Sequence, residues 1–553
     1  MKPFISFFLA LFTTIILITL LLKVAKRYHL YDQPGGRKTH AKPVPRLGGV
    51  AMAAGAILPT FIWLDLEPKF KSLLLGIGAL SFMGLVDDLV RVRWHKKLLV
   101  QAAAALLVVI YGGVQIKNLG FWGSHEIILS PYLSVPFSFL FILGVTNAIN
   151  LSDGLDGLAA GLCTFTFGFL SVLAYIVGLY NCLVPLAAIL GSIWGFLRFN
   201  THPASIFMGD SGSYFLGFSA AVFGIMCTQG YHSAISPAIL LLILGVPIID
   251  TLCVMTERLL SGAPVFMPDR RHIHFRLMQI GLSHREAVIT IYAIQALLTL
   301  AAFKMIFFPA SNVTLLFVGV GLTITVGLKQ AEKRGLNLHR SCNIEDYRFK
   351  RLLERFSSIF HVNFLVYASM VIISAYLMIT PILIDYHFEI TDIITLCIPV
   401  IVSVCFFIKG PWLNILGRLS IYYIIATVTI ATLNSTKGTH TYHGMPLWFV
   451  VMLAVLSGCT LLYMHFAKSD KVKLTPLDLL IFLVTLAFSV TPSYLLPDTA
   501  ITYPVILGML VLTYTTETTL DMKAIRKNMI LPATIISALI IGLRSAISLL
   551  NHT

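Results

Sequence analysis

The sequence predicts an all-α, polytopic membrane protein, and three observations carry that expectation. Of its 553 residues, 57% are hydrophobic and only 12% are charged, whereas soluble domains carry about a quarter charged residues. The apolar residues fall in long continuous runs rather than the short alternating segments of a membrane barrel. Lys and Arg gather in alternate loops between those runs, as the positive-inside bias requires. Backbone groups left unpaired in lipid are very costly, so continuous apolar runs must be helices.

A span needs roughly 20 apolar residues. By that measure about eleven spans lie near 4–22, 49–65, 70–87, 98–115, 132–149, 158–178, 182–198, 213–228, 236–256, 286–307 and 311–328. The first lacks a small-residue cleavage pattern and precedes many more spans, so it reads as a transmembrane helix rather than a removable signal. A polar, basic stretch follows, and about seven further spans are expected towards the C-terminus. The expected organisation is a membrane-embedded unit over 1–330, a basic cytoplasmic linker over 331–360 and an additional transmembrane region over 361–553, whose role the sequence leaves open.

The net charge is +15, from 40 Lys and Arg against 25 Asp and Glu. Cytoplasmic loops facing anionic lipid account for it, and no nucleic-acid partner is expected. With the N-terminus outside, loop 23–48 holds Lys23, Lys26, Arg27, Arg37, Lys38, Lys42 and Arg46, and loop 88–97 holds Arg91, Arg93, Lys96 and Lys97. Loop 257–285 adds Arg258, Arg270, Arg271, Arg276 and Arg285, while the opposite loops are short or poor in Lys and Arg. Eight cysteines are present and no CxxC pair occurs, so neither a zinc site nor a disulfide framework is indicated.

Ionisable groups at the ends of spans tend to be functional, and five clusters fall on the expected cytoplasmic side. The first runs Asp32-Gln-Pro-Gly-Gly-Arg37-Lys38-Thr-His40 to Pro45-Arg46-Leu-Gly48-Gly49; an ordinary basic juxtamembrane loop would look the same. The second is Asp87-Asp88, followed by Arg91, Arg93 and Lys97. Adjacent carboxylates at a helix end repel unless a cation or a proton is present. The third packs Asn147, Asn150, Asp153 and Asp156 into about ten residues with two glycines, which permit close backbone approach. It lacks the spacing and the terminal glutamate of an EF-hand. The fourth is Phe207-Met-Gly209-Asp210-Ser211-Gly212-Ser213, before a span. Such a turn at a helix start can cradle phosphate or act as a plain cap. The fifth is Pro268-Asp269-Arg270-Arg271-His272-Ile-His274-Phe-Arg276, where three arginines beside the imidazoles suit a diphosphate better than a metal. Together the clusters describe a hard-cation site beside an anion-binding loop. Mg²⁺ uses few carboxylates and completes its shell with water and phosphates.

The motifs GLVDD, NAINLSDGLDGLAAG, FMGDSGS and DRRHIHFRL, in that order, resemble the polyprenyl-phosphate N-acetylhexosamine-1-phosphate transferases, the glycosyltransferase 4 family. The resemblance covers roughly residues 1–330. The loop DQPGGRKTH…PRLGG and the HIH form are most similar to the bacterial undecaprenyl-phosphate GlcNAc-1-phosphate branch. It implies an enzyme that moves GlcNAc-1-phosphate from a UDP-sugar to undecaprenyl phosphate and releases UMP, the first lipid-linked step of an envelope polysaccharide. It further implies that Asn150 and Asp210 bind Mg²⁺, for which Mn²⁺ can substitute, and that Asp87 and Asp88 sit near the lipid phosphate. Lys97 would contact phosphate, Asn147, Asp153 and Asp156 would shape the nucleotide pocket, and Phe207 would stack on uracil. His272, His274, Arg270 and Arg271 would hold the diphosphate or sugar, with Lys38 and His40 near the same mouth. Phe275 stands where the family often has a further histidine. Expected partners are the UDP-sugar, the polyprenyl phosphate and the membrane, with a second copy or downstream glycosyltransferases as protein partners. The rival readings are another UDP-HexNAc, a phospho-MurNAc-pentapeptide substrate, or a transporter, although transporters place their sites near the midplane.

Overall fold

A computed structural model describes residues 2–31, 43–65, 67–90, 92–229, 235–262, 271–335 and 362–383, with residue pairs 441–442, 445–446, 451–452 and 455–456. Described residues up to 335 lie in one compact unit, and those from 362 onward lie in another. The second unit contributes one long apolar helix, Val362–Leu383. The other spans expected beyond it fall outside the described residues.

In the first unit the helices are α1 (Lys2–Tyr28), α2 (Gly48–Trp63), α3 (Pro68–Val90), α4 (Trp94–Leu106), α5 (Pro131–Ser152), α6 (Leu158–Ile176) and α7 (Leu183–Asn200). They continue as α8 (Gly209–Thr228), α9 (Ile239–Ile243), α10 (Gly245–Leu260), α11 (Ile273–Gln279), α12 (His284–Lys304) and α13 (Ala310–Lys333). Among the described residues nine helical segments are long and apolar enough to cross a membrane, so the protein is an all-α multi-pass membrane protein. Two of the eleven expected runs take another form. The run at 49–65 is α2, only 16 residues long with Pro59 inside it. The run at 236–256 is broken at Leu244 into α9 and α10.

That break has a local cause. Pro247 has no N–H to offer the Ile243 carbonyl four residues earlier, so the helical ladder stops there. In its place Thr166 Oγ1 and Gln295 Nε2 both donate to Ile243 O at 3.0 Å, and Gln295 Oε1 accepts from Val246 N at 3.1 Å. Freed backbone groups at membrane depth require such side-chain partners.

The core is centred on α8, buried over nearly its whole length and flanked by α2, α3, α5 and α6. Small residues permit this closeness, as is usual where helices pack in lipid. At Gly84 of α3 a β-carbon would run into the backbone of Ser211 on α8. The peripheral helices turn large apolar side chains outward, including Ile16 and Leu20 of α1, Phe82 of α3 and Leu315 and Leu322 of α13. Such a surface suits lipid and not water. An antiparallel hairpin, Asn118–Trp122 with His125–Ile128, joins α4 to α5. Gln229, at the C-terminal end of α8, holds it through the amides of Lys117 and Asn118. The hairpin therefore caps the end of the bundle where α8 finishes.

Candidate active site

The opposite end, where α8 begins, collects the chemistry. There the C-terminal ends of α3 and α5 meet the N-terminal ends of α4 and α8. Lys97, in the first turn of α4, donates from Nζ to Asp87 Oδ2 at 2.8 Å and to Asp210 Oδ2 at 3.0 Å. Asp210 also accepts from Tyr214 Oη at 2.9 Å and from Asn150 Nδ2 at 3.2 Å. Asn150 Nδ2 donates in addition to Ser213 Oγ at 2.7 Å. The second, third and fourth clusters thus form one constellation.

The two aspartates at the end of α3 do different work. Asp87 Oδ1 accepts the Val92 amide at 2.6 Å, closing the turn into α4. Asp88 Oδ1 and Oδ2 accept the amides of Asp210 and Ser211, at 3.2 and 3.4 Å. The helix-start amides read from sequence as a phosphate cradle are therefore engaged by the Asp88 carboxylate, the charge expected at that end of a helix dipole. The first cluster reaches the same place through backbone pairing. Phe207 N donates to Pro45 O at 2.8 Å, while Gly48 N and Gly49 N donate to Phe207 O and Met208 O at 3.0 and 2.9 Å. Phe207 is half-buried beside this strip.

The remaining members of the third cluster diverge. Asn147 Nδ2 donates to Gln101 Oε1 at 2.9 Å, bracing α5 against α4. Asp153 lies in the loop after α5. Its burial, reinforced by the Asp210 charge and opposed by Arg46, pushes its carboxyl up to about 7. Asp156 accepts from His202 Nδ1 at 2.7 Å and from the Ala204 amide at 3.1 Å. Burial alone would raise Asp156, but the His202 and Ala204 hydrogen bonds and the neighbouring His284 bring it below the ordinary carboxylate value. The rings of His202 and His284 stack with centroids 4.1 Å apart. Ligand-capable atoms of Asp156, His202 and His284 lie within 4.8 Å of one another, and His284 Nε2 also receives the Asp156 amide at 3.2 Å. The trio fastens the loop after α5 to the 202–204 turn and the start of α12.

The fifth cluster approaches that loop from α11. His272 and His274 are buried, with nearly parallel rings 5.8 Å apart. His274 is packed against Gly154, where any β-carbon would collide with the imidazole. Burial pushes His274 down to about 4, with His272 and His284 adding to the effect and Asp250 opposing it. It is therefore neutral near pH 7. Arg271 Nη1 donates to Ser261 Oγ at 3.3 Å. Arg270, Lys38 and His40 lie outside the described residues.

Sequence reading missed Tyr214, Gln101, His202, His284 and Asp250. Tyr214 had a usable cue, since it stands four residues after Asp210 and shares its helix face. The others are brought in from distant parts of the chain. Chemically, the constellation offers carboxylate and amide oxygens, the donor set that hard cations take, next to an ammonium and buried imidazoles. These groups lie at helix ends and not at mid-span, unlike the sites of transporters.

The sequence that builds this helical bundle and its polar end matches a known class. The family profile for Glycosyl transferase family 4 matches residues 70–228, which include the second, third and fourth clusters. The chain belongs to that family. It is 35% identical over 299 residues to a probable undecaprenyl-phosphate N-acetylglucosaminyl 1-phosphate transferase of Bacillus subtilis, covering 54% of this chain and 83% of the relative. It is 30% identical over 342 residues to an undecaprenyl-phosphate alpha-N-acetylglucosaminyl 1-phosphate transferase of Yersinia pestis, covering 61% and 92%. A decaprenyl-phosphate N-acetylglucosaminephosphotransferase of Mycobacterium leprae is 31% identical over 329 residues, covering 54% and 82%.

Proposed function

We propose that this protein transfers GlcNAc-1-phosphate from UDP-GlcNAc to undecaprenyl phosphate and releases UMP. The observation that carries the reading is the joining of Asp87, Lys97, Asn150 and Asp210 by hydrogen bonds at one end of four helices. The relatives named for this reaction support it. A soluble nucleotide sugar and a lipid phosphate can both reach a site at a span end.

In the reaction, an oxygen of the lipid phosphate attacks the β-phosphorus of the nucleotide sugar. The bond from that phosphorus to the bridging oxygen breaks, and UMP leaves with the oxygen. The product is the polyprenyl diphosphate-linked sugar. Lys97 holds phosphate oxygens, while Asp87 and Asp88 keep Lys97 and the start of α8 in place beside the lipid phosphate. Phe207 and Asp156 line the uridine side, and His272 and His274 face the diphosphate. Asp210 and Asn150 would hold Mg²⁺, which supplies a positive charge against the charge that develops on the leaving phosphate. A single displacement is favoured because a lipid phosphate is already an adequate nucleophile. Release of a UMP burst without lipid acceptor would instead indicate an aspartyl-phosphate on Asp87 or Asp88.

The site end is assigned to the cytoplasmic face of the plasma membrane, because Arg93 and Lys96 flank it and the 43–47 strip with Arg46 enters α2 there. The start of α1 then lies on the outer face. Membranes given β-phosphate-labelled UDP-GlcNAc and undecaprenyl phosphate should form labelled lipid with Mg²⁺ and not with a chelator. No labelled lipid from any UDP-HexNAc would sink the reading.

A further inference from the structure

Asp250 belongs to none of the five clusters, yet both its oxygens point at the fifth. It sits on α10 with 4% of its surface exposed. Oδ2 lies 2.8 Å from His272 Nδ1, and Oδ1 accepts the Ile273 amide, the first of α11, at 2.7 Å. A carboxylate oxygen facing Nδ1 accepts from the tautomer that carries its proton there, and among the described residues no partner engages Nε2. Seven residues on, two turns further along the same face of α10, Glu257 grips Arg276 of α11 by an ion pair. Thus α10 presents two carboxylates to α11, one buried and touching an imidazole, the other half-buried and touching a guanidinium. The imidazole stacks beside His274, which rests on the Asn150–Asp156 loop.

We infer that Asp250 is a positioning residue for the transfer reaction: it fixes the tautomer and ring orientation of His272, so that Nε2 is presented to the sugar diphosphate. The inference rests on the transferase reading for its kinetic consequence, but the dyad itself is a statement about this chain. Carboxylates that orient metal-ligating histidines set the scale for such a partner, their loss costing roughly 10- to 100-fold. Glu257 provides the internal control, because it anchors the same helix without touching a ring.

The test uses the full chain in membranes or detergent, with variants Asp250→Asn, Glu257→Gln, His272→Gln and the double variant Asp250→Asn/His272→Gln. Asp250→Asn is expected to lower kcat roughly 10- to 100-fold with little change in KM for UDP-GlcNAc. The double variant should be no slower than His272→Gln alone, since the two residues act as one unit. Glu257→Gln should instead lower the melting midpoint, and its effect should add to that of His272→Gln. If Asp250→Asn slows the His272→Gln enzyme as much as it slows wild type, Asp250 acts only as a scaffold and the inference is overturned. Nitrogen NMR of ¹⁵N-histidine-labelled wild-type protein decides the tautomer independently of activity. His272 should carry its proton on Nδ1, and a proton on Nε2 would also overturn the inference. A wild-type protein that transfers no sugar phosphate would refute the transferase reading while leaving the NMR result to judge the dyad.

Discussion

Lys97→Met would remove an ammonium that bridges Asp87 and Asp210. Its Nζ donates two charge-assisted hydrogen bonds, at 2.8 and 3.0 Å, to side chains with relative exposures of 14% and 22%. Such bonds contribute about 1.5–3 kcal/mol each. The lysine side chain is itself 23% exposed, so solvent screening favours the lower end, about 3 kcal/mol for the pair. Without Lys97 the charge between Asp87 and Asp210 is lost, while Tyr214 and Asn150 still donate to Asp210. If the full amount is lost from the transition state, kcat/KM falls roughly 100-fold. Lys97→Arg, which keeps the charge but not the point geometry, should recover part of it. The assay is initial-rate transfer of labelled sugar phosphate to lipid over a range of Mg²⁺ concentrations, with melting midpoints recorded on the same preparations. Near-wild-type kcat/KM in Lys97→Met at every Mg²⁺ concentration would refute the reasoning.

Two further outcomes are expected from the surroundings of the site. Glu257→Gln removes the nearer carboxylate of the buried Arg276, leaving Glu332 at 3.7 Å and the Arg271 carbonyl, and should destabilise the protein by up to about 3 kcal/mol; Lys329→Gln, whose lysine pairs with Glu257 at 2.9 Å but is 45% exposed, should cost under about 1 kcal/mol, and equal melting midpoints would contradict the contrast. His202→Asn should raise Asp156 back towards its ordinary value. A carboxyl depressed in the folded state contributes stability above its unfolded pKa, about 4, and loses it as pH falls through the lower folded value. The melting midpoint of the variant should therefore lag wild type most above about pH 4, with the gap narrowing in more acid buffer; a gap independent of pH would exclude this linkage.

The helices were legible because burial in lipid is a local property of the chain. A run of about 20 apolar residues satisfies its own hydrogen bonds and spans the bilayer whatever its neighbours do. The exceptions came from single residues whose partners are remote. Pro247 breaks one run only because Thr166 and Gln295 can serve the freed Ile243 carbonyl. The hairpin at 118–128 was not anticipated, since two short strands give little periodicity to read.

The site divides in the same way. The sequence by itself determined which residue types stand at span ends: Asp87 and Asp88, Asn150, Asp210 and the HIH pair, since ionisable groups are excluded from the apolar interior of each run. Only the tertiary structure decided their partners. Asp210 meets Lys97 from 113 residues away, Asp88 closes on the amides of α8 rather than standing open, and Asp156 is held by His202 and His284. Asp250 on α10 reaches His272 from 22 residues away, which no motif spacing announced. The physical reason is that hydrogen bonds and ion pairs act over a few ångströms of space. Which distant residues come within that range is set by the packing of whole helices, with α8 at the centre and small residues such as Gly84 and Gly154 admitting the close approaches.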